Sequence, residues 1–306
     1  MRPASDGVSV CAVVVTYNPD AAALTALLER VEPQVAAVVI VDNASVDRLP
    51  VALSAPVFAQ PVNVGLAAAQ NIGIAWARRH GHSHVLLLDQ DSTPAPTMVA
   101  HLTAAWQSLV DAGERVAAVG PRFHDAREDT DAPFVRVAFP VSEKIWCGDA
   151  GGTVRCDFLI GSGALIPLAV LAEVGVMDPG LFIDNVDLDW SFRARSRGYA
   201  LFGVCAATMD HRLGDGRRAV LFGRRQVATH GPTRLYYIMR NRLLLYRLAT
   251  TPRVWIAQDI LRVPVKFLLF AVLIGPRARN ARFMFRGLLD GIRGRRGPVP
   301  DLGGGR

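Results

Sequence analysis

Three apolar runs in the first third of the chain each end abruptly in polar residues, and this recurrence limits the fold more than any other feature. The runs are VSVCAVVVTYN, AAVVIVDNAS and HVLLLDQDSTP. Consecutive apolar, largely β-branched positions describe strands buried on both faces. Between them, AAALTALLERV and GLAAAQNIGIAWARRHG carry helical spacing, the second closed by Gly81. A further helix is expected from about Pro96 to Ala112, then a strand near ERVAAVGPRF. Such alternation predicts an α/β fold, a mostly parallel, doubly wound sheet flanked by helices.

In open sheets of this kind, ligands bind beyond the carboxyl ends of the strands. The endings are Thr16-Tyr17-Asn18, Asp42-Asn43-Ala44-Ser45 and Asp89-Gln90-Asp91. One polar ending is an ordinary turn. Three on one edge mark a binding site. Asp89 and Asp91, at i and i+2 of an extended tip, can both reach one hard cation.

Composition narrows the classes. The 306 residues suffice for one large α/β domain or two modest ones, and with 51% hydrophobic and 20% charged residues the chain is neither disordered nor an ordinary multi-span membrane protein. The net charge of +7 is concentrated in arginines after about residue 190, which points to an anionic partner. No interleaving of basic and aromatic residues favours nucleic acid, so a phosphate-bearing substrate or a membrane surface ranks ahead of it. No GxGxxG follows the first strand and no GxxxxGK[ST] occurs, which argues against a dinucleotide-binding Rossmann enzyme and excludes a P-loop. The four cysteines, Cys11, Cys147, Cys156 and Cys205, lack CxxC spacing, so reduced thiols in a cytoplasmic protein are expected. The N-terminal MRPASDGVSV has no apolar signal stretch.

Further along, CDFLIGSGALIP reads as a strand with a close Gly-Ser-Gly approach. LFIDNVDLDWSFRARSRGY places acids early and bases late, the order that suits a helix macrodipole. Asp184 suits a cap. Asp187, in the first turn, would be held ionised by the N–H dipoles, as a general base requires. Asp189 and Arg193, at i and i+4, would form a supporting pair. His211 closes the strand-like LFGVCAATMDH and precedes a basic, Gly-rich loop at 214–225. A carboxylate and an imidazole sharing one ion would suit Mn²⁺ as well as Mg²⁺.

Taken in order, VVVTYN, VIVDNAS, NVGLAAAQNIGI, LLLDQDS, GSGALIP, LFIDNVDLDWSFRARSRGY and a downstream histidine resemble the family 2 glycosyltransferases of GT-A fold, over about residues 8–245. DQDS, the VDxDW helix start and HGPTRLYYIMRNRLLL resemble the rhamnosyltransferase-like group of that family. The resemblance implies that Thr16, Tyr17, Asn18 and Asp42 surround the base and ribose of a nucleotide-sugar donor, beside Asn63, Gly65 and Asn71. Asp89 would face the ribose or donor sugar, and Asp91 and His211 would hold Mg²⁺ or Mn²⁺ on the diphosphate. Asp187 would be the catalytic base, although Val186 replaces the commoner Glu, leaving Asp187 and Asp189 both open for the role. Arg234 and Arg240 would contact the diphosphate, while Gly161, Ser162, Asp189 and Trp190 would lie on the acceptor side or support it.

The expected reaction is an inverting transfer of L-rhamnose from dTDP-rhamnose to a glycan or polyprenyl-diphosphate-linked acceptor. The rival readings are galactofuranosyl transfer from UDP-galactofuranose, a nucleotidyltransferase or phosphatase, and a non-catalytic sugar-nucleotide-binding scaffold.

The domain division expected is a catalytic domain at 1–232, basic amphipathic helices at 233–296 and a disordered tail at 297–306. WIAQDILRVPVKFLLFAVLIG is apolar but interrupted by Asp259, Arg262, Pro264 and Lys266, so it is too broken to span a bilayer. In RNARFMFRGLLDGIRGRR, Arg279, Arg282, Arg286 and Arg293 share a face opposite Phe285, Leu288, Leu289 and Ile292. That pattern implies an anionic membrane surface at the cytoplasmic side, or a helix packed on the domain with its arginines in water.

Overall fold

The computed structural model describes residues 7–47, 49, 55–125, 130–148, 152–210, 216–220 and 225–299. Strand β1 (Val10–Thr16) is buried along its whole length. Helix α1 (Ala21–Val31) follows, its first turn capped by the Asp20 carboxylate, which accepts from the Ala23 amide at 2.9 Å. Then come β2 (Ala37–Asp42), β3 (Val57–Ala59), α2 (Leu66–Arg79) and β4 (His84–Asp89). After them lie β5 (Thr93–Pro94), α3 (Met98–Asp111), β6 (Val116–Asp125) and β7 (Thr130–Asp131). A small hairpin, β8 (Phe134–Arg136) and β9 (Glu143–Ile145), leads to β10 (Thr153–Cys156) and β11 (Leu165–Pro167). Helices α4 (Leu168–Val174) and α5 (Val186–Ser196) precede the long β12 (Ala200–Asp210). A hairpin of β13 (Gly216–Val220) and β14 (Arg225–Thr229) leads to α6 (Pro232–Leu245), α7 (Arg253–Leu268) and α8 (Arg277–Ile292).

The central sheet runs β10-β12-β6-β11-β4-β1-β2-β3, with β5 added to β12 and β7 to β6. The quartet β4-β1-β2-β3 is parallel, as the alternation predicts. Beyond it, β11 enters antiparallel to both β4 and β6, so the sheet as a whole is mixed. Apolar side chains fill both sides of the sheet, Val13, Val39, Val85 and Leu87 on one and Val14, Ile40, Leu86 and Leu88 on the other. These are the layers of an α/β sandwich.

Three expectations change. CDFLIGSGALIP is not one strand: pairing stops at Cys156, and Asp157 leaves the sheet to accept from the Val137 amide (2.7 Å) and to pair with Arg195 (2.9 Å). A buried carboxylate needs such partners, and meeting them turns the chain into a loop at 157–164. Second, Cys147 and Cys205 form a disulfide, while Cys11 and Cys156 are free and buried. The antiparallel pairing of Thr153 with Val204 brings the residues before β10 alongside those after Val204, joining cysteines 58 positions apart. Third, α8 buries only part of its Phe/Leu face, Leu288 packing against the cluster of Leu235, Met239 and Phe270. It packs Asn280, Phe283, Met284, Gly287, Asp290 and Gly291 inward, and Phe285 and Ile292 stay exposed. Gly287 makes this possible: a Cβ there would lie 2.4 Å from the Tyr236 carbonyl of α6.

Among the described residues no helix is long and apolar enough to cross a membrane. The tail begins docked, with the Gly297 amide donating to the Gly180 carbonyl (2.8 Å) and the Val299 amide to the Tyr237 hydroxyl (2.6 Å).

Candidate active site

Register places the strand tips together: Thr16 is opposite Asp42, and Val15 opposite Asp89. Side chains then lace the tips. Thr16 Oγ1 donates to Asp42 Oδ1 (2.8 Å), and Ser45 donates to the same carboxylate from its hydroxyl (2.5 Å) and its amide (3.1 Å). Asn18 spans to the second tip, donating its amide to Ser45 Oγ and accepting from the Val46 amide, both at 2.8 Å. Gln90 bonds the Tyr17 backbone in both directions, through Oε1 (2.7 Å) and Nε2 (3.2 Å). Asp42 and Asn18 are therefore struts of the rim, and neither lines the opening they brace.

That opening is a cleft of about 760 Å³. Thr16, Tyr17, Asn63, Gly65, Asp89, Asp91, Gly161, Ser162, Asp187 and Arg234 all line it, from segments scattered over the chain. Asn63 Oδ1 accepts from Asn43 Nδ2 and from the Gly65 amide, each at 3.0 Å. Gly65 has φ +86°, and a Cβ there would sit 2.7 Å from the Phe182 ring and carbonyl, so this wall closes only with glycine. Ser162 Oγ accepts from the Asp89 amide (3.0 Å) and shares a 2.6 Å hydrogen bond with Ser92 Oγ, which fastens the 157–164 loop to the acidic tip.

Asp187 faces the acidic tip across the cleft. Its Oδ1 accepts from the Leu188 amide (2.8 Å) and its Oδ2 from the Gly161 amide (3.2 Å). Those bonds do not keep it as acidic as expected. Burial dominates and pushes its pKa up to about 6; the two amides pull it down, while Asp184 and Asp89 add to the rise.

Asp189 lies outside the cleft, buried, its carboxylate on Arg193 Nε (2.8 Å). Arg193 also donates to the carbonyls of Val174 (3.1 Å) and Val176 (2.8 Å), so this pair stitches α5 to the end of α4. Trp190 does the same through Nε1 to the Gly175 carbonyl at 2.9 Å. Asp184 is not the cap of α5; Asn185 holds that position, in a left-handed conformation. Asp184 instead takes Arg234 on both carboxylate oxygens, at 2.8 and 3.3 Å. Asn71 bonds both backbone groups of Met177, at 2.8 and 3.0 Å, and does not line the cleft. Arg240 is wholly buried under the cleft and holds the carbonyls of Gly180 (3.2 Å), Leu181 (2.9 Å) and Gly297.

His211 and most of the basic loop around it, 211–215 and 221–224, lie outside the described residues. Asp210, just before His211, is paired with Thr93, two positions beyond Asp91. Among the described residues no group of three His, Cys, Asp or Glu side chains could hold a metal unaided. Two strand-tip carboxylates in a cleft fit an ion that completes its shell with substrate phosphate oxygens, which is how Mg²⁺ is commonly bound.

Gln70, Asn43, Gln90 and Asn185 also line the cleft. Gln90 and Asn43 stand inside the quoted endings, beside acids that drew attention first. Asn185 had no sequence signal; it lines the cleft while its Nδ2 is buried without a hydrogen-bond partner among the described residues.

Known proteins bear on this geometry. A model of glycosyl transferase family 2 matches residues 11–148. The dTDP-rhamnosyl transferase RfbF of Shigella flexneri is 29% identical over 294 residues, covering 94% of this chain and 96% of that protein. Among solved structures, GalNAc-T7 with UDP, GalNAc and Mn²⁺ superposes with a TM-score of 0.59 at 15% identity, over 94% of this chain and 57% of that one. S. aureus TarS 1-349 in complex with UDP-GlcNAc gives 0.55 at 15% identity, over 94% of this chain and 81% of that one. The chain thus spans little more than half of GalNAc-T7, and at these identities the likeness establishes the GT-A-like fold.

The protein is a glycosyltransferase, its residues 11–148 matching family 2. It is rhamnosyltransferase-like, similar along nearly its whole length to the Shigella enzyme.

Proposed function

We propose that the enzyme transfers L-rhamnose from dTDP-rhamnose to a hydroxyl of a cell-envelope glycan or lipid-linked acceptor, with inversion, assisted by Mg²⁺ or Mn²⁺. The observation that carries this reading is the opposition of two carboxylate sets across one cleft, Asp89 and Asp91 on the strand tip and Asp187 on α5. Tyr17 and Asn63, on a rim braced by Asp42 and Asn18, receive the nucleoside. Asp91, with His211, would hold the ion. The ion would offset the charge that builds on the departing nucleoside diphosphate. Asp187 takes the proton of the attacking hydroxyl, and a pKa of about 6 suits a base that must be ionised near neutrality yet still hold a proton in the transition state. A displacement from the face opposite the leaving group inverts the anomeric centre.

Asp189 is committed to Arg193, which favours Asp187 as the base. Thymidine is favoured over uridine because the relative that matches along the whole chain is a dTDP-rhamnosyl transferase. An exposed apolar stripe on α7 (Leu261 73%, Val265 67% and Leu268 61% exposed) with basic neighbours supports work at the cytoplasmic face of an anionic membrane.

Calorimetric titration of the whole protein with dTDP-rhamnose and UDP-galactofuranose, with and without Mn²⁺, tests the donor and the metal together. Binding of the thymidine donor should need the ion and should weaken at least tenfold in Asp91→Ala. Metal-dependent binding of the uridine donor alone would move the assignment to galactofuranosyl transfer. Equal binding after chelation would remove the metal from the mechanism.

A further inference from the structure

A second cavity, of about 820 Å³, lies outside the donor cleft, between α7 and the segment Phe139–Pro140–Val141. Its walls are apolar: Phe139 and Val141 on one side, Leu261, Val265 and Leu269 on the other. This is a built wall and not a chance gap. Gln258, buried on α7, donates to the carbonyls of Ala138 and Pro140 (3.2 Å) and accepts from Ser142 Oγ (2.7 Å), which pins the segment in place.

The chemistry of the groove is uneven. Lys266 and Arg262, one turn apart on α7, both line it. Arg262 reaches only Gln258 Oε1 (3.2 Å) among the described side chains, and Lys266 makes no hydrogen bond or ion pair with them, only a cation–π approach of 5.9 Å to Phe270. Burial brings the Lys266 pKa down to about 8; Arg242 and Arg234 add to the fall, and Asp184 and Asp259 oppose it. Asp184 and Asp259 act on Lys266 without forming an ion pair with it, so a half-buried ammonium facing the groove keeps its donors for an anion from outside. The groove and the donor cleft draw on neighbouring stretches of chain: His230 lines the first and Arg234, four residues on, lines the second.

We propose that this groove holds the hydrocarbon chain of a single anionic lipid, with the lipid's phosphate against Lys266 and Arg262 and its head group entering the cleft beside Arg234. Apolar walls alone would suit many occupants. Two cations within the lining select an amphiphile with a phosphate head, and the short step from His230 to Arg234 would let that lipid carry the acceptor hydroxyl to the cleft. The assignment rests on the sugar-transfer reading for that last step only; the lipid site itself does not depend on it.

Farnesyl diphosphate, kept below its aggregation threshold, is a defined probe for the full-length protein. It should bind at least tenfold more tightly than inorganic pyrophosphate, and Val141→Asp and Lys266→Met should each weaken it at least tenfold. Both variants should keep the affinity for dTDP, which shows that they fold and separates failure here from failure of the donor assignment. Pyrophosphate bound as tightly as the farnesyl ester would overturn the proposal. So would unchanged farnesyl diphosphate affinity in Val141→Asp. Binding to anionic vesicles without binding of the monomeric probe would make this face a bilayer contact and not a lipid site.

Discussion

The donor side of the cleft and the helical C-terminal region are built on different principles. On the donor side, hydrophobic strands deliver polar tips, and short side-chain bonds hold those tips, Thr16–Asp42 in the interior and Gln90–Tyr17 at the surface. In the C-terminal region the polar groups are buried. Arg240 and Asn241 are both fully enclosed, and between them they grip the carbonyls of Gly180, Leu181, Ile183 and Asp184. The first arrangement presents groups to a ligand. The second keeps in place a loop with positive φ at Phe182, Asp184 and Asn185, a backbone that costs energy to hold. Catalysis and stability should therefore respond differently to mutation in the two regions.

The largest effect is expected at Asp187. Replacing it with Asn should lower kcat by about 10³-fold, within the usual range for losing a general base, with donor affinity nearly unchanged. In the wild type, kcat should fall as pH drops through about 6, because the base must be ionised. The sign for stability is opposite. A carboxyl whose pKa is higher in the folded than in the unfolded state stabilises fully below the unfolded value and loses that contribution as pH rises through about 6. Asp187→Asn should thus raise the melting temperature at pH 8 and leave it little changed at pH 4. A melting temperature that falls at pH 8 would sink the burial argument.

Arg240→Met tests the buried region. It removes the guanidinium's bonds to the Gly180, Leu181 and Gly297 carbonyls and should cost about 2–4 kcal/mol of stability, on the scale of charged hydrogen bonds removed from an interior. Unlike Asp187→Asn it should also weaken donor binding, since Arg234 shares its helix. Denaturant unfolding and donor titration on one sample check both. If only stability changes, the two regions are more independent than the hydrogen bonds imply.

Gly287→Ala should have the smallest effect, about 1–3 kcal/mol for overpacking α8 on α6. Its unfolding midpoint should shift while the pH profile of kcat stays as in the wild type. A changed profile would mean that α8 reaches the catalytic base.

The parallel half of the sheet and its ligand edge were legible because consecutive buried β-branched residues leave few alternatives. Positions such as Asp89, Asp91 and Asp187 could be found because strand tips and a helix start expose side chains by rule. Other parts depended on partners distant in sequence. Asn71 resembled a ligand contact until Met177, 106 positions away, took both ends of its amide. Asp184 resembled a cap until Arg234 approached from a helix 50 residues later. The Cys147–Cys205 bond was hidden for the same reason, since only the pairing of β10 with β12 brings its halves together. On α8 the helix turns its glycines inward, and periodicity alone gives no weight to a residue without a side chain.

Arg234 and the pair Arg240–Asn241 belong to one helix, α6, and that arrangement bears on how the site can close. A diphosphate that draws Arg234 off Asp184 frees a carboxylate inside a loop whose carbonyls remain fastened to the same helix. The loop cannot swing as a lid while those bonds last. In the proposed reaction it would answer the donor through side-chain rotamers, with Asp187 already in place for the acceptor.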